Sequence, residues 1–290
     1  MRGMLIGGLG LALMGAGAAF ADDPSSPPPD KSGFTLFNPT PDADLRSLCT
    51  DRPTKSTAPC TVDAGRWQVE ADAYNFTTQT TDGVTTTTQL FTNPTLKLGI
   101  TNTLDFEVNI APYEEVQIHD SVGGTTVTAR GVGDLFLKAK WNLVGDDGGS
   151  FAAAILPYVK VPTAGHVIGN GEVEGGVLAP MQWNLPANWQ LAVVPELDAL
   201  ADAVGSGHHA NVSLDLALAY PVTKEVTLAG EVWGDMNFDP AGTVSQASFD
   251  LGVAWIPPKS PTVQLDGGVN LGLNRATPGL QAYVGVSHRF

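Results

Sequence analysis

From residue 65 to residue 290, apolar and polar positions alternate with a period of two, in stretches of about a dozen residues divided by turn residues. Leu96, Leu98 and Ile100 share one face, with Thr95 and Lys97 on the other. After Thr101 and Asn102, Leu104, Phe106, Val108 and Ile110 alternate with Asp105, Glu107 and Asn109, which is the pattern of a β-hairpin. Leu135, Leu137, Ala139 and Trp141 likewise oppose Asp134, Phe136, Lys138 and Lys140, and Val212, Leu214, Leu216, Leu218 and Tyr220 oppose Asn211, Ser213 and Asp215. The spacing predicts twelve strands, over 65–76, 86–100, 102–112, 130–143, 150–162, 171–184, 188–200, 209–220, 224–236, 244–256, 261–273 and 279–290.

Strands of soluble domains average about five or six residues, whereas a tilted strand crossing a bilayer needs about 9–11. These lengths favour the membrane. None of the twelve apolar faces carries Asp, Glu, Lys or Arg, and His288 is the single titratable group on them. A lipid-facing Arg or Lys at the bilayer midplane would cost about 2–4 kcal/mol. The opposite faces carry Glu70, Asp72, Lys97, Asp105, Glu107, Asp134, Lys138, Lys140, Glu172, Glu174, Asp215, Glu231, Asp250 and Asp266, the candidate lining of a channel. Lys160 and Arg289 bring the inward bases to five against fourteen acids. If the first strand starts in the periplasm, Trp67, Trp141, Trp183, Trp189, Tyr220 and Trp255 all fall at periplasmic strand ends on the apolar parity, as in an interfacial aromatic girdle. The turns at that end are short, while 113–129 and 163–170 read as longer outer loops, and 77–88, rich in Thr, as strand tips around another. The expected fold is all-β, a transmembrane antiparallel up-and-down β-barrel of about twelve strands, facing outer-membrane lipid.

Composition narrows the class. Charged residues are 16% of the chain, against about 25% in soluble domains. A net charge of -15 excludes a nucleic-acid partner, which requires a basic face. Residues 1–21 have the form of a secretory signal peptide, with Arg2, an apolar run over 5–17 and Ala19-Phe20-Ala21 before the cut, so the expected location is the outer membrane of a Gram-negative-type bacterium. From 22 to 64, Pro24, Pro27, Pro28, Pro29, Pro39, Pro41, Pro53 and Pro59 keep the chain extended, as a periplasmic segment, a plug or a disordered leader. In an oxidising compartment Cys49 and Cys60 are candidates for a local disulfide. The final strand, ending on Phe290, resembles the terminal signal of bacterial outer-membrane barrels, which implies the barrel-assembly machinery as a partner.

Three further stretches are similar to one family. Asp51-Arg52-Pro53 leading into Val62-Asp63-Ala64-Gly65, Gly131-Val132-Gly133-Asp134-Leu135, and Leu156-Pro157-Tyr158-Val159-Lys160-Val161-Pro162-Thr163 resemble the putative meta-pathway of phenol degradation family of outer-membrane transporter-like barrels. The similarity runs from about Phe34 to the C-terminus. It implies a channel connected with the uptake of aromatic or hydrophobic compounds.

No catalytic, metal or cofactor site is expected. His119, His166, His208 and His209 fall in or near outer loops without a Ser or carboxylate at motif spacing, and neither a nucleophile elbow nor HExxH occurs. His208 and His209 with Asp202 read as a solvated loop rather than a metal site, and Glu172 with Glu174 as pore-lining charges rather than an acid–base pair. The reading is a passive channel for small solutes, with cations or neutral molecules favoured over anions. The competing readings are an outer-membrane lipid-modifying enzyme and a soluble periplasmic β-barrel or sandwich binding an apolar ligand. The sequence leaves the solute, the openness of the pore and the oligomeric state undecided.

Overall fold

The alternating stretches form one antiparallel sheet that closes on itself, as seen in a computed structural model describing residues 30–290. The expected signal peptide and residues 22–29 lie outside the described residues. The strands are β1 (Trp67–Thr81), β2 (Val84–Thr101), β3 (Leu104–Ile110), β4 (Glu114–Asp120), β5 (Thr125–Gly131), β6 (Leu135–Val144), β7 (Phe151–Val161), β8 (Glu174–Leu178), β9 (Met181–Asn184), β10 (Gln190–Ala201), β11 (His208–Pro221), β12 (Val226–Asn237), β13 (Val244–Trp255), β14 (Val263–Gly272) and β15 (Leu280–Arg289). β1 pairs with both β2 and β15, and that pairing seals the barrel, while β5, which pairs with β4 alone, remains an edge at the far rim.

Fifteen strands make twelve staves, because three staves are interrupted. β3 and β4 pair with successive halves of β2, broken at Ala111-Pro112-Tyr113, where Pro112 has no N–H to donate. β5 and β6 continue each other along β4 and β3. The stave expected over 171–184 breaks at Ala179-Pro180 into β8 and β9, both of which pair with β7 and β10.

One expectation about the far rim is corrected and another is sharpened. Residues 113–129 are not an open loop: β4 and β5 form a hairpin that extends β2 beyond the barrel wall. Val116, Ile118, Val127 and Ala129 keep the alternation going, and Gly123-Gly124 in the 121–124 connection permit a tight reversal. The Thr-rich stretch forms strand tips as expected, in the ladder up to Asp82-Gly83, whose φ values of 50° and 84° suit a two-residue hairpin turn. Branched Thr pairs across the two strands favour extended backbone over a loop.

The polarity is inverted relative to a soluble domain. Leu214, Leu216 and Leu218 point outward at 41%, 44% and 46% exposure, whereas Lys140 and Asp250 are fully buried inside. Among the described residues no helix is long and apolar enough to cross a membrane. Trp67, Trp141, Trp189 and Trp255 are exposed at the end with the short turns, Trp183 stacks on Phe151, and Trp189 on Tyr220.

The Pro-rich segment is held against the barrel from its first described residues. Leu36 donates its N–H to Ile100 O and Thr40 to Ala64 O, and the backbone N–H groups of Asp51, Lys55 and Val62 donate to inward side chains. Two wall glycines permit this approach. A Cβ on Gly99 would sit 2.0 Å from Asp63 O, and one on Gly285 would sit 2.1 Å from Arg52 Nη2.

The barrel interior as candidate functional site

Inward parity places Glu70, Asp72, Lys97, Asp105, Glu107, Lys140, Asp215, Glu231, Asp250 and Asp266 inside the barrel and buried. Asp134, Lys138 and Glu174 are half-buried. Lys160 Nζ lies 2.6 Å from Glu174 Oε2 and 3.5 Å from Asp134 Oδ2. Glu172 is corrected: it precedes β8, lies exposed in the loop, and does not pair with Glu174.

The interior charges are matched by charges of the Pro-rich segment. Asp51 accepts from Lys140 at 2.7 Å and also pairs with Lys97, which reaches Glu70 at 2.6 Å. Arg52 bridges two staves, with Nη1 2.5 Å from Asp72 on β1 and Nη2 2.7 Å from Asp266 on β14. Lys55 Nζ donates to Asp250 Oδ2 at 2.5 Å and Ser248 Oγ at 2.7 Å, and stands 4.9 Å from the centre of the Trp233 ring. The backbone N–H groups of Lys55 and Ser56 donate to Glu231, and that of Val62 to Asp105. Arg46 meets Asp63, Asp146 and Asp147, and Arg289 meets Asp63. Buried charges are tolerated only when paired and hydrogen-bonded, and the segment supplies partners of both signs. A disulfide between Cys49 and Cys60 closes the stretch that carries Asp51, Arg52 and Lys55.

The electrostatics of the segment follow from these pairs. Burial opposes charge on Asp51, yet Lys140 and Lys97 outweigh it and hold the carboxyl well below the usual carboxylate range. In the turn after β6, burial pushes Asp146 up despite Arg46. For Asp147, burial is overcome by donors from Asn102 and Arg46, and the carboxyl is lowered.

The segment does not fill the barrel evenly. Its ion pairs go to β1, β2, β6, β13, β14 and β15. Toward β10–β13 it leaves a cavity of about 290 Å³, bounded by residues 48–58 and by Ala192, Ala217, Ala219, Ala229 and Ala254. Small inward side chains on those staves create the gap.

Sequence reasoning did not single out Glu196, Asp198 and Asp235, which share the lining, although the inward parity of β10 and β12 marks them. It also missed Arg46 and Lys55, which have no periodicity to reveal them, and it marked Asp51 and Arg52 only as part of a family-like stretch, without their partners. His209 is a further correction: its Nδ1 is 2.9 Å from Asp202 and 3.6 Å from Asp239, so it has carboxylate partners across two loops. Among the described residues no group of three or more His, Cys, Asp or Glu is arranged to hold a metal.

A closed twelve-stave barrel, polar within and apolar without, defines a transmembrane β-barrel of the porin-like outer-membrane class. Residues 50–290 match the family described as "Putative MetA-pathway of phenol degradation", and the chain belongs to that family. Among solved structures it is similar to the COG4313 outer membrane channel from Pseudomonas putida F1, with a TM-score of 0.59 and 15% identity over 78% of this chain and 95% of the other. The NanC porin aligns with a TM-score of 0.47 and 10% identity, covering 77% and 98% of the two chains. The β domain of the Bordetella autotransporter BrkA aligns at 0.45 and 12%, covering 78% and 98%. No curated protein matches the chain.

Proposed function

We propose that the protein is a passive outer-membrane channel for small neutral or cationic solutes, narrowed by its own Pro-rich segment. The observation that carries this is the division of the interior: one side is packed by the segment through ion pairs, and toward β10–β12 a cavity remains beneath acids that no ion pair with the segment neutralises. On this reading the short-turn end with its tryptophans faces the periplasm, where the segment enters. The family description supports phenolic compounds among the solutes, and a small neutral phenol suits a polar lumen lined by acids. An acidic lining raises the local concentration of cations and repels anions.

Planar-bilayer recordings under a salt gradient test the proposal. The expected result is a low conductance whose reversal potential reports cation preference. A clear anion preference, or no conductance from correctly folded protein with or without the segment docked, overturns it.

A further inference from the structure

We propose that the inward wall of β10–β12 is a recognition site for small organic cations bearing a primary ammonium group; this deepens the channel reading and rests on it. The site is built of Glu196 and Asp198 on β10, Asn211 and Asp215 on β11, and Asp235 on β12. The ladder brings them together: Glu196 stands opposite Ser213 and Asp198 opposite Asn211, while Ser213 in turn faces Asp235. Among the described residues no Lys, Arg or His pairs with any of these four carboxylates, although neighbouring staves have their acids neutralised by Arg52 and Lys55.

Two further observations point to a missing donor. The Asn211 amide nitrogen donates to Asp198 at 3.0 Å and to Asp235 at 2.8 Å, which leaves its Oδ1 buried with no donor. Asp215 Oδ1 is also buried and unpartnered, in a residue 4% exposed. Buried acceptors without donors are costly, and a ligand carrying several N–H groups is what this patch lacks.

The adjoining stave shows which cation fits. Lys55 is an alkylammonium on a flexible stem, delivered by the segment to Ser248, Asp250 and the face of Trp233. Trp233 is the direct cross-strand neighbour of Asp215. The wall therefore already holds one primary ammonium through a carboxylate, a hydroxyl and an aromatic face, the combination that favours ammonium over a hard metal ion. These acids continue that surface outward from the end Lys55 occupies; Asp198 also accepts from Tyr158 Oη at 2.8 Å and Glu196 from Ser213 Oγ at 3.2 Å, but none of them meets a cation.

Calorimetric titration of the folded full chain in detergent, with putrescine and n-butylammonium as probes, tests this site independently of conduction. Saturable putrescine binding is expected, with tetramethylammonium and magnesium binding more weakly. Asp235→Asn, and separately Asp198→Asn, should weaken it roughly ten-fold, the loss of one charged hydrogen bond. Lys55→Met should open a second n-butylammonium site at Trp233. Equal binding of tetramethylammonium, putrescine binding unaltered by both Asn variants, or an unchanged n-butylammonium stoichiometry in Lys55→Met overturns the inference. Saturable binding with no conductance would sink the channel reading alone, and cation-selective conductance without binding would sink this site alone.

Discussion

Arg52 and Asp266 are 214 residues apart in the chain, yet Arg52 donates through both Nε and Nη2 to the Asp266 carboxylate, at 3.0 and 2.7 Å to Oδ1. The forked contact fixes the segment in two directions, since Arg52 Nη1 reaches Asp72 at the same time. Gly285, on the stave between those two acids, gives the guanidinium room.

Arg52→Met should therefore release the segment without dissolving the barrel. It leaves Asp72 and Asp266 buried and unpaired, a loss of about 3–5 kcal/mol for a broken buried pair. The expected outcome is faster proteolysis within residues 31–66 and higher single-channel conductance, while the gel-mobility shift on heating is retained. Unchanged proteolysis would show that Arg52 does not hold the segment in place.

Docking should weaken on the acid side. Asp51 has its folded-state pKa held down by Lys140 and Lys97 against the pull of burial. A depressed carboxylate contributes stability above its unfolded pKa of about 4, and loses it as pH falls through the folded value. Hydrogen exchange over residues 48–58 should accelerate as pH drops below about 4, after correction for intrinsic rates, with no matching effect between about 6 and 8. Asp51→Asn should flatten that response and loosen the segment at neutral pH.

Reducing the disulfide should act in the same direction. Closing an 11-residue separation between Cys49 and Cys60 restricts the undocked segment by about 3 kcal/mol in the chain-entropy view. Protected reduction, or Cys49→Ser with Cys60→Ser, should increase the mobility of residues 48–60 and leave barrel unfolding in denaturant little changed. Loss of the barrel itself would assign the bond a larger structural role.

The outward face should tolerate no charge. Leu216 lies midway along β11, facing outward, and Leu216→Arg should cost about 2–4 kcal/mol in bilayer-reconstituted protein. Reversible denaturant unfolding in lipid vesicles reads that cost directly. Thr227→Asn, on the interior side of the cavity, should leave stability within about 0.5 kcal/mol.

Much of this architecture is legible in the alternation of the chain. The alternation around Leu214, Leu216 and Leu218 assigns strand, parity and outward face together, because side chains of a strand point to opposite sides at every step. The positions of Trp67, Trp141, Trp189 and Trp255 likewise follow from parity plus the count of turns. Where the reading failed, the pattern was present but overruled by expectation, as at Val116, Ile118 and Val127 in the added hairpin, or it ended just short of the residue in question, as at Glu172.

Twelve staves, a charged interior and an apolar exterior can be read from the alternation alone, since each is a local property repeated along the chain. Which interior charges are matched depends on the closed fold. Asp51 with Lys97 and Lys140, Arg52 with Asp72 and Asp266, and Lys55 with Asp250 join an aperiodic segment to staves from both ends of the chain. No local spacing encodes such pairs. They exist because closing the barrel buries charges that need partners, and the segment is the part of the chain that reaches them.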